Sequence, residues 1–161
     1  MVNERLPGIR DLGNGRRVGA STAVGGNRPG AGFLTVRYLL DTTFVIDHLR
    51  GDPEAVARFV RIVDNGDEPF VCDVVACEAW TGAHDDADPD LVALLGFVEF
   101  VQAGPVQARN AGRWRADARK RGWTLSATDA LVAATANAID AAVLTRNLRD
   151  FALTPATVER Y

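Results

Sequence analysis

Short apolar runs alternate with helical segments along this chain, and this alternation constrains its fold more than any other feature. The first run, Tyr38–Asp41, ends on a carboxylate, and Gly51 with Asp52-Pro53 then separates two helical stretches. Proline at the first position of a helix and glycine just beyond its end are typical helix boundaries. Strands that alternate with helices across short loops predict a parallel sheet with helices on both faces. We therefore expect a three-layer α/β/α domain with a central, mainly parallel sheet of four to five strands.

The individual elements are predicted between Tyr38 and Arg160. The predicted strands are Tyr38–Asp41, Pro69–Cys72, Phe97–Val101, Ala142–Thr145 and Thr157–Arg160. The predicted helices are Thr43–Arg50, Pro53–Asn65, a helix N-capped by Asp73 that runs through Trp80, Leu91–Leu95, Pro105–Gly122, and a helix opened by Ser126 that contains Leu131–Ile139. No run of the chain approaches ~18 uncharged apolar residues, so no membrane span is expected.

Residues 1–36 differ in composition from the rest, being rich in Gly and Arg and without apolar periodicity. Such a segment cannot bury enough surface to offset its chain entropy. We interpret it as a disordered tail or the result of a wrongly assigned start, with a basic arm that touches nucleic acid as the functional alternative. Residues 37–161 are then the folded domain.

Charge is unevenly distributed along the chain. Residues 1–37 carry six arginines against two acidic residues, a net charge of +4, whereas the remainder carries 12 basic against 19 acidic residues, a net charge of −7. An acidic domain is not expected to coat nucleic acid nonspecifically. A metal site fits this balance, because such sites concentrate carboxylates.

Cysteine and histidine provide no catalytic or metal-binding pattern. Cys72 and Cys77 are five residues apart and indicate small buried thiols in a reducing compartment, so we expect a cytoplasmic protein. His48 and His84 have no metal-ligand spacing and are interpreted as structural or surface residues. This interpretation argues against general acid–base catalysis by histidine.

Polar residues fall near the carboxyl ends of the predicted strands, where parallel sheets bind ligands. Asp41 ends the first strand, Glu78 lies in the helix after the second, and Asp129 lies in the first turn of the small apolar helix. Asn147 and Asp150 follow the fourth strand. Taken singly, these residues have ordinary explanations as caps, turn residues or surface acids, and only the joint pattern favours a site. Together, converging carboxylates without basic partners would repel one another, and a hard divalent cation offsets that repulsion.

Four motifs follow one another in this part of the chain. They are YLLDT from Tyr38, the pair Cys77-Glu78, SATDALVAATA from Ser126 and VLTRNLRDF from Val143. In this order they resemble the PIN-domain ribonucleases and, more narrowly, the VapC toxins of type II toxin–antitoxin systems. The resemblance covers Tyr38–Tyr161. It implies a PIN-like fold and an endoribonuclease toxin that depends on Mg²⁺, with Mn²⁺ as the alternative ion. It also implies a tRNA or rRNA substrate, a VapB-type antitoxin and a homodimer.

The resemblance assigns a role to each acid. Asp41 and Asp129 are implied metal ligands, and Glu78 is implied to help bind metal or to position water. Asn147 stands where many members of the family have Asp, so Asp150, one turn further on, is the residue that would supply the missing charge. The amide of Asn147 could also orient a metal-bound water. This departure leaves open a second function, a catalytically decayed module that binds RNA or protein.

RNA contact is predicted on the long helix Pro105–Gly122. The expected RNA-binding residues are Arg113, Arg115, Arg119 and Lys120, with an aromatic such as Trp114 or Trp123 stacking on a base. The alternative is a solvated basic helix whose tryptophans pack in the core. The helices Glu54–Val63 and Val74–Ala83 carry apolar faces that serve equally well as core or as an interface.

Two further classes that place Asp at the end of a first strand are disfavoured. An aspartyl-phosphate phosphatase needs a second Asp two residues on, where Thr43 stands, and a placed Lys, whereas the only lysine is Lys120. The same shortage of lysine disfavours a receiver domain. Thr145 could hydrogen-bond a carboxylate or phosphate, although a β-branched residue in a strand needs no such role. Asp47 is interpreted as an ordinary helix-surface acid.

Overall fold

The computed structural model describes residues 35–83 and 88–161, which form an α/β/α domain around a five-stranded sheet. The strands are β1 Arg37–Leu40, β2 Glu68–Cys72, β3 Glu99–Val101, β4 Ala142–Leu144 and β5 Val158–Glu159. The helices are α1 Thr42–Leu49, α2 Pro53–Asn65, α3 Asp73–Gly82, α4 Pro89–Phe97, α5 Pro105–Lys120, α6 Ala127–Ala138 and α7 Leu148–Phe151. The strand order is β3-β2-β1-β4-β5 and every pairing is parallel, which confirms the predicted fold class.

Strand β1 lies at the centre of the sheet, which explains its apolar sequence. Leu39 is fully buried and pairs with Phe70 of β2 on one side and with Val143 of β4 on the other. A strand covered on both faces reads as a continuous apolar run instead of an alternating one. The backbone N–H of Asp41 still donates to the carbonyl of Leu144 at 3.2 Å, so this residue is held at the carboxyl edge of the sheet.

Helix α6 is built from small residues because it packs closely against its neighbours. Ala130, Ala133 and Ala136 have no exposed surface, and Thr135 is equally buried. Trp114 of α5 packs between the main core and a second cluster of small residues around α6. This close packing fixes the first turn of α6, which carries Asp129.

Most helix starts agree with the sequence prediction, and one does not. Asp52 caps α2, because its carboxylate accepts from the backbone N–H of Glu54 and of Ala55. The prediction that Asp73 caps α3 is wrong. Strand β2 runs directly into α3, so Cys72 occupies the N-cap position and Asp73 is already helical, with its carboxylate accepting from the N–H of Ala103 at 3.2 Å.

A short helix, α7, follows β4 at a point where the sequence pattern predicts none. Its last residue, Phe151, is fully buried, and this burial holds the turn that carries Asp150 against the sheet. The predictions for residues 1–34 and for His84 lie outside the described residues. Within residues 35–83 and 88–161, no helix combines the length and the apolar character needed to cross a membrane.

Candidate active site

Asp41 occupies the N-cap position of α1, but its side chain makes no capping hydrogen bond. Asp41 follows the buried strand β1 and is itself only 4 % exposed, which is unusual for an acid. Burial of a carboxylate is costly unless polar groups or a cation compensate it. The carboxylate of Asp41 therefore does not cap α1, although its backbone carbonyl accepts from the N–H of Val45 at 3.1 Å. The partners of the carboxylate are side-chain hydroxyls.

Two threonine hydroxyls hold Asp41, one from its own helix and one from the far end of the sequence. Thr145 donates to Oδ2 of Asp41 at 2.8 Å, and Thr43 donates to the same oxygen at 2.9 Å. The hydroxyl of Thr145 also accepts from the backbone N–H of Asn147 at 2.9 Å. No hydrogen bond from the described residues reaches Oδ1 of Asp41, so one carboxylate oxygen is held and the other is left for a further ligand.

The other predicted acids are held in the same way, each by a neutral donor. The Thr42 hydroxyl donates to Glu78 at 2.5 Å, and the Ser126 hydroxyl donates to Asp129 at 2.5 Å. The side-chain amide of Asn147 donates to Asp150 at 3.0 Å. In each pair the donor is a hydroxyl or an amide, and it contacts one oxygen of the carboxylate. The positions of all these acids are therefore set without neutralising their charge.

The other acids lie close enough to Asp129 for their charges to act on it. Burial raises the pKa of Asp129, the Ser126 hydroxyl opposes that rise, and the charges of Asp41, Asp150 and Glu78 raise the pKa further. Within residues 35–83 and 88–161, no Lys or Arg forms an ion pair with any of these four carboxylates. The structure thus brings together an acidic cluster that consists of Asp41, Glu78, Asp129 and Asp150.

The acidic cluster offers only oxygen donors, the type of ligand that hard divalent cations prefer. Among the described residues, no group of three or more His, Cys, Asp or Glu side chains is arranged so that it could by itself hold a metal ion. Mg²⁺ does not need such a group, because it keeps several waters and binds through one or two carboxylates. Asp41 fits that requirement because it is buried and one of its oxygens lies outside the hydrogen-bond network. Asp129 fits it because its neighbours are acids whose repulsion a cation would offset.

Asn147 does not point its amide at Asp41. Its side chain donates to Asp150, while its backbone N–H donates to Thr145. The residue therefore links the held oxygen of Asp41 to Asp150 through Thr145. Position 147 thus carries an amide in place of an acid, and this amide orients Asp150, the acid three residues later.

The predicted RNA-binding residues all lie on α5 and are exposed. Arg115 donates through Nε to the carbonyl of Leu125, whereas Lys120 is occupied in an exposed ion pair with Asp117. The two tryptophans of this region differ in environment. Trp114 packs in the core and Trp123 is 50 % exposed, so the core alternative holds for one and not for the other.

The prediction that Asp47 is an ordinary surface acid is wrong. Asp47 accepts from Arg146 at 2.6 Å and from the hydroxyl of Tyr161 at 2.8 Å. Arg146 also pairs with Asp52 and Glu54, both at 2.8 Å, and its guanidinium lies 4.6 Å from the centre of the Tyr161 ring. The sequence carries no local signal for this cluster, because Asp47 and Arg146 are 99 positions apart.

The cysteines and the described histidine have no role in the acidic cluster. Cys72 is buried, which raises the pKa of its thiol, whereas Cys77 is exposed, and both are free thiols. The prediction of two buried thiols is therefore correct for Cys72 only. His48 packs against the rings of Phe44 and Phe59, as expected for a structural residue.

The fold and the acidic cluster at its carboxyl edge agree with a comparison to known families. Residues 38–155 match the PIN domain family, and the chain belongs to it. This finding confirms the resemblance drawn from the four sequence motifs.

Individual proteins that are similar to this chain include a curated ribonuclease and solved structures of toxin–antitoxin complexes. Ribonuclease VapC19 of Mycobacterium tuberculosis is 33 % identical over 117 residues, which cover 73 % of this chain and 94 % of the relative. VapBC2 from Rickettsia felis, bound to a DNA fragment from its promoter, aligns with a TM-score of 0.69 and 18 % identity over 78 % of this chain and 99 % of that chain. DNA-bound VapBC from Salmonella typhimurium aligns with a TM-score of 0.65 and 23 % identity over 78 % of this chain and 98 % of that chain. At these identities the solved structures establish the fold.

Proposed function

We propose that this protein is a divalent-metal-dependent endoribonuclease of the VapC type, a toxin that hydrolyses RNA phosphodiester bonds. The single observation that supports this activity best is the acidic cluster, in which four carboxylates are positioned by neutral donors and none is ion-paired with a described basic residue. The PIN domain match and the relationship to Ribonuclease VapC19 support the reaction class. Mg²⁺ is the proposed ion and Mn²⁺ the alternative, because both prefer oxygen ligands.

Asp41 and Asp129 are the proposed metal ligands. When bound, a divalent cation supplies the charge that polarises a phosphate and lowers the pKa of a bound water. Thr43 and Thr145 keep Asp41 in place and leave its Oδ1 available. Ser126 orients Asp129 in the same manner.

Glu78, Asn147 and Asp150 complete the proposed catalytic set from the edge of the cluster. Glu78 is held by Thr42 through one oxygen, and its second oxygen can accept a proton or orient a water. Asp150, oriented by Asn147, supplies the negative charge that Asn147 lacks. A catalytically decayed module remains the competing function, and the departure at position 147 is the feature that favours it.

Cleavage of purified RNA tests the proposal. We expect the wild type to cleave RNA with Mg²⁺ and to lose that activity with a chelator, and we expect Asp41→Ala and Asp129→Ala each to abolish cleavage while keeping the native circular dichroism spectrum. Asp64→Ala is the matched control, since Asp64 is an exposed acid on α2. Retained cleavage in either folded, metal-replete variant would contradict the proposed ligands. A wild type that binds RNA without cleaving it would support the decayed module.

The proposed partner is a VapB-type antitoxin, and the proposed substrate is tRNA or rRNA in the cytoplasm. Support for the partner comes from solved relatives that are toxin–antitoxin complexes. Co-expression with a VapB-type antitoxin, followed by an assay for loss of cleavage, tests this partner.

A homodimer is proposed as well. Of the two helices considered for an interface, α2 leaves several valines exposed, whereas α3 buries most of its apolar residues. The exposed valines of α2 are Val56, Val60 and Val63, whereas Val75, Ala76 and Ala79 of α3 are buried. Helix α2 is therefore the better candidate for the dimer interface, and sedimentation of the purified protein tests the dimer.

A further inference from the structure

Trp123 is an exposed aromatic side chain on a well-defined segment of backbone. It follows the C-terminal end of α5, where its N–H donates to the carbonyl of Ala118 at 3.0 Å and the N–H of Gly122 donates to that of Arg119 at 3.0 Å. This pair of bonds is a Schellman motif, and Gly122 has the left-handed φ of +79° that the motif requires. An aromatic side chain fixed on such a turn loses little conformational entropy when a ligand stacks on it.

Two cavities meet at Trp123. The first has a volume of about 220 Å³, and Arg115, Arg119 and Trp123 are among the residues that line it. The second has a volume of about 470 Å³, and its lining includes Trp123, Arg149 and Asp150. Trp123 thus lies between a cavity lined by two arginines and a cavity lined in part by Asp150, a member of the acidic cluster.

The chemistry of the two cavities differs. Arg115 and Arg119 place two cations in the first, which suits phosphate groups. The second combines one cation, Arg149, with one anion, Asp150, beside the apolar Leu153. A phosphate would meet the carboxylate there, whereas a base has a flat apolar face for the indole and hydrogen-bonding edges for the two charged groups.

We propose that Trp123 is a stacking platform for a base of single-stranded RNA, which is seated in the cavity beside Asp150. The strand runs from the phosphates at Arg115 and Arg119, across the indole, toward the acidic cluster. This inference rests on the proposed ribonuclease function and adds a substrate requirement to it, an unpaired base next to the cleaved bond. Trp123 contacts the substrate and takes no part in bond breaking.

Binding without cleavage tests the platform. A short unstructured RNA with a fluorescent label, titrated with the protein in a chelator at low salt, should show a rise in fluorescence anisotropy on binding. Trp123→Ala should weaken binding by at least about fivefold, since each stacked base contributes ~1–3 kcal/mol. Trp123→Phe should restore most of the affinity. Phe100→Ala is the matched control, because Phe100 is 52 % exposed on β3 and lines neither cavity.

The same titration with an oligonucleotide of abasic sites separates stacking from phosphate binding. We expect the wild type and Trp123→Ala to bind this probe equally. Equal binding of the base-containing RNA by these two proteins, or no binding of it by the wild type, would overturn the platform. Failure of the nuclease proposal would look different. The wild type would then cleave no RNA, yet it would still bind the base-containing RNA more tightly than Trp123→Ala does.

Discussion

Thr145 is predicted to be the positioning residue on which the acidic cluster most depends. It is fully buried, donates to Asp41 at 2.8 Å and accepts from the N–H of Asn147 at 2.9 Å. Thr145→Val keeps the shape of the side chain and removes both bonds. A hydrogen bond to a charged group contributes ~1.5–3 kcal/mol, and an unpaired buried N–H costs ~1–3 kcal/mol. Asp41 keeps its bond from Thr43, so the net loss should be about 2–3 kcal/mol.

Urea unfolding of wild type and variant measures this loss as a change in the free energy of unfolding at constant m. Thr135→Val is the matched control. Thr135 is as fully buried, but its hydroxyl donates to the Leu131 carbonyl within its own helix, so its removal should change stability by less than ~0.5 kcal/mol. Equal losses in the two variants, or no loss in Thr145→Val, would refute the reasoning. Folded Thr145→Val should also cleave RNA about tenfold more slowly, equivalent to ~1.4 kcal/mol of lost transition-state stabilisation.

Two further predictions concern charge. The folded chain binds the Asp129 proton more tightly than the unfolded chain does, so ionisation of Asp129 lowers stability as pH rises from the ordinary carboxyl range through its raised pKa. Mg²⁺ should raise Tm at neutral pH, because it offsets the charge of ionised Asp129. This rise in Tm should shrink as the pH falls through the pKa of Asp129, and it should be absent in Asp129→Asn. A rise in Tm that is independent of pH would contradict Asp129 as a ligand. Arg146→Ala should lower Tm, because the carboxylates of Asp47, Asp52 and Glu54 then face one another without a cation. High salt should narrow the difference in Tm between wild type and variant. Arg146→Lys should not restore the wild-type Tm, since an ammonium cannot pair with several carboxylates and stack on a ring at once, and full recovery would contradict this account.

The order of the elements, and the edge of the sheet where the acids gather, can be predicted from the amino-acid sequence. Both depend on local physics. A run such as Tyr38–Leu40 must be buried on both faces, and caps such as Asp52-Pro53 mark helix starts wherever they occur. Parallel strands place their carboxyl ends at one edge, so the strand pattern predicts that Asp41 and the residues after β4 lie at the same edge of the sheet. That β1 and β4 are neighbours there is known only from the structure.

The contacts between individual polar groups, in contrast, follow from the tertiary structure. The sequence leaves Asp41 as a possible cap, and it is Thr145, 104 positions away, that holds its Oδ2. Asp47 has its partners, Arg146 and Tyr161, at the far end of the chain. Trp114 and Trp123 lie close together in sequence, yet one packs in the core and the other is exposed. These differences arise from side-chain packing between distant elements, because burial and hydrogen-bond partners are properties of the assembled fold and not of sequence spacing.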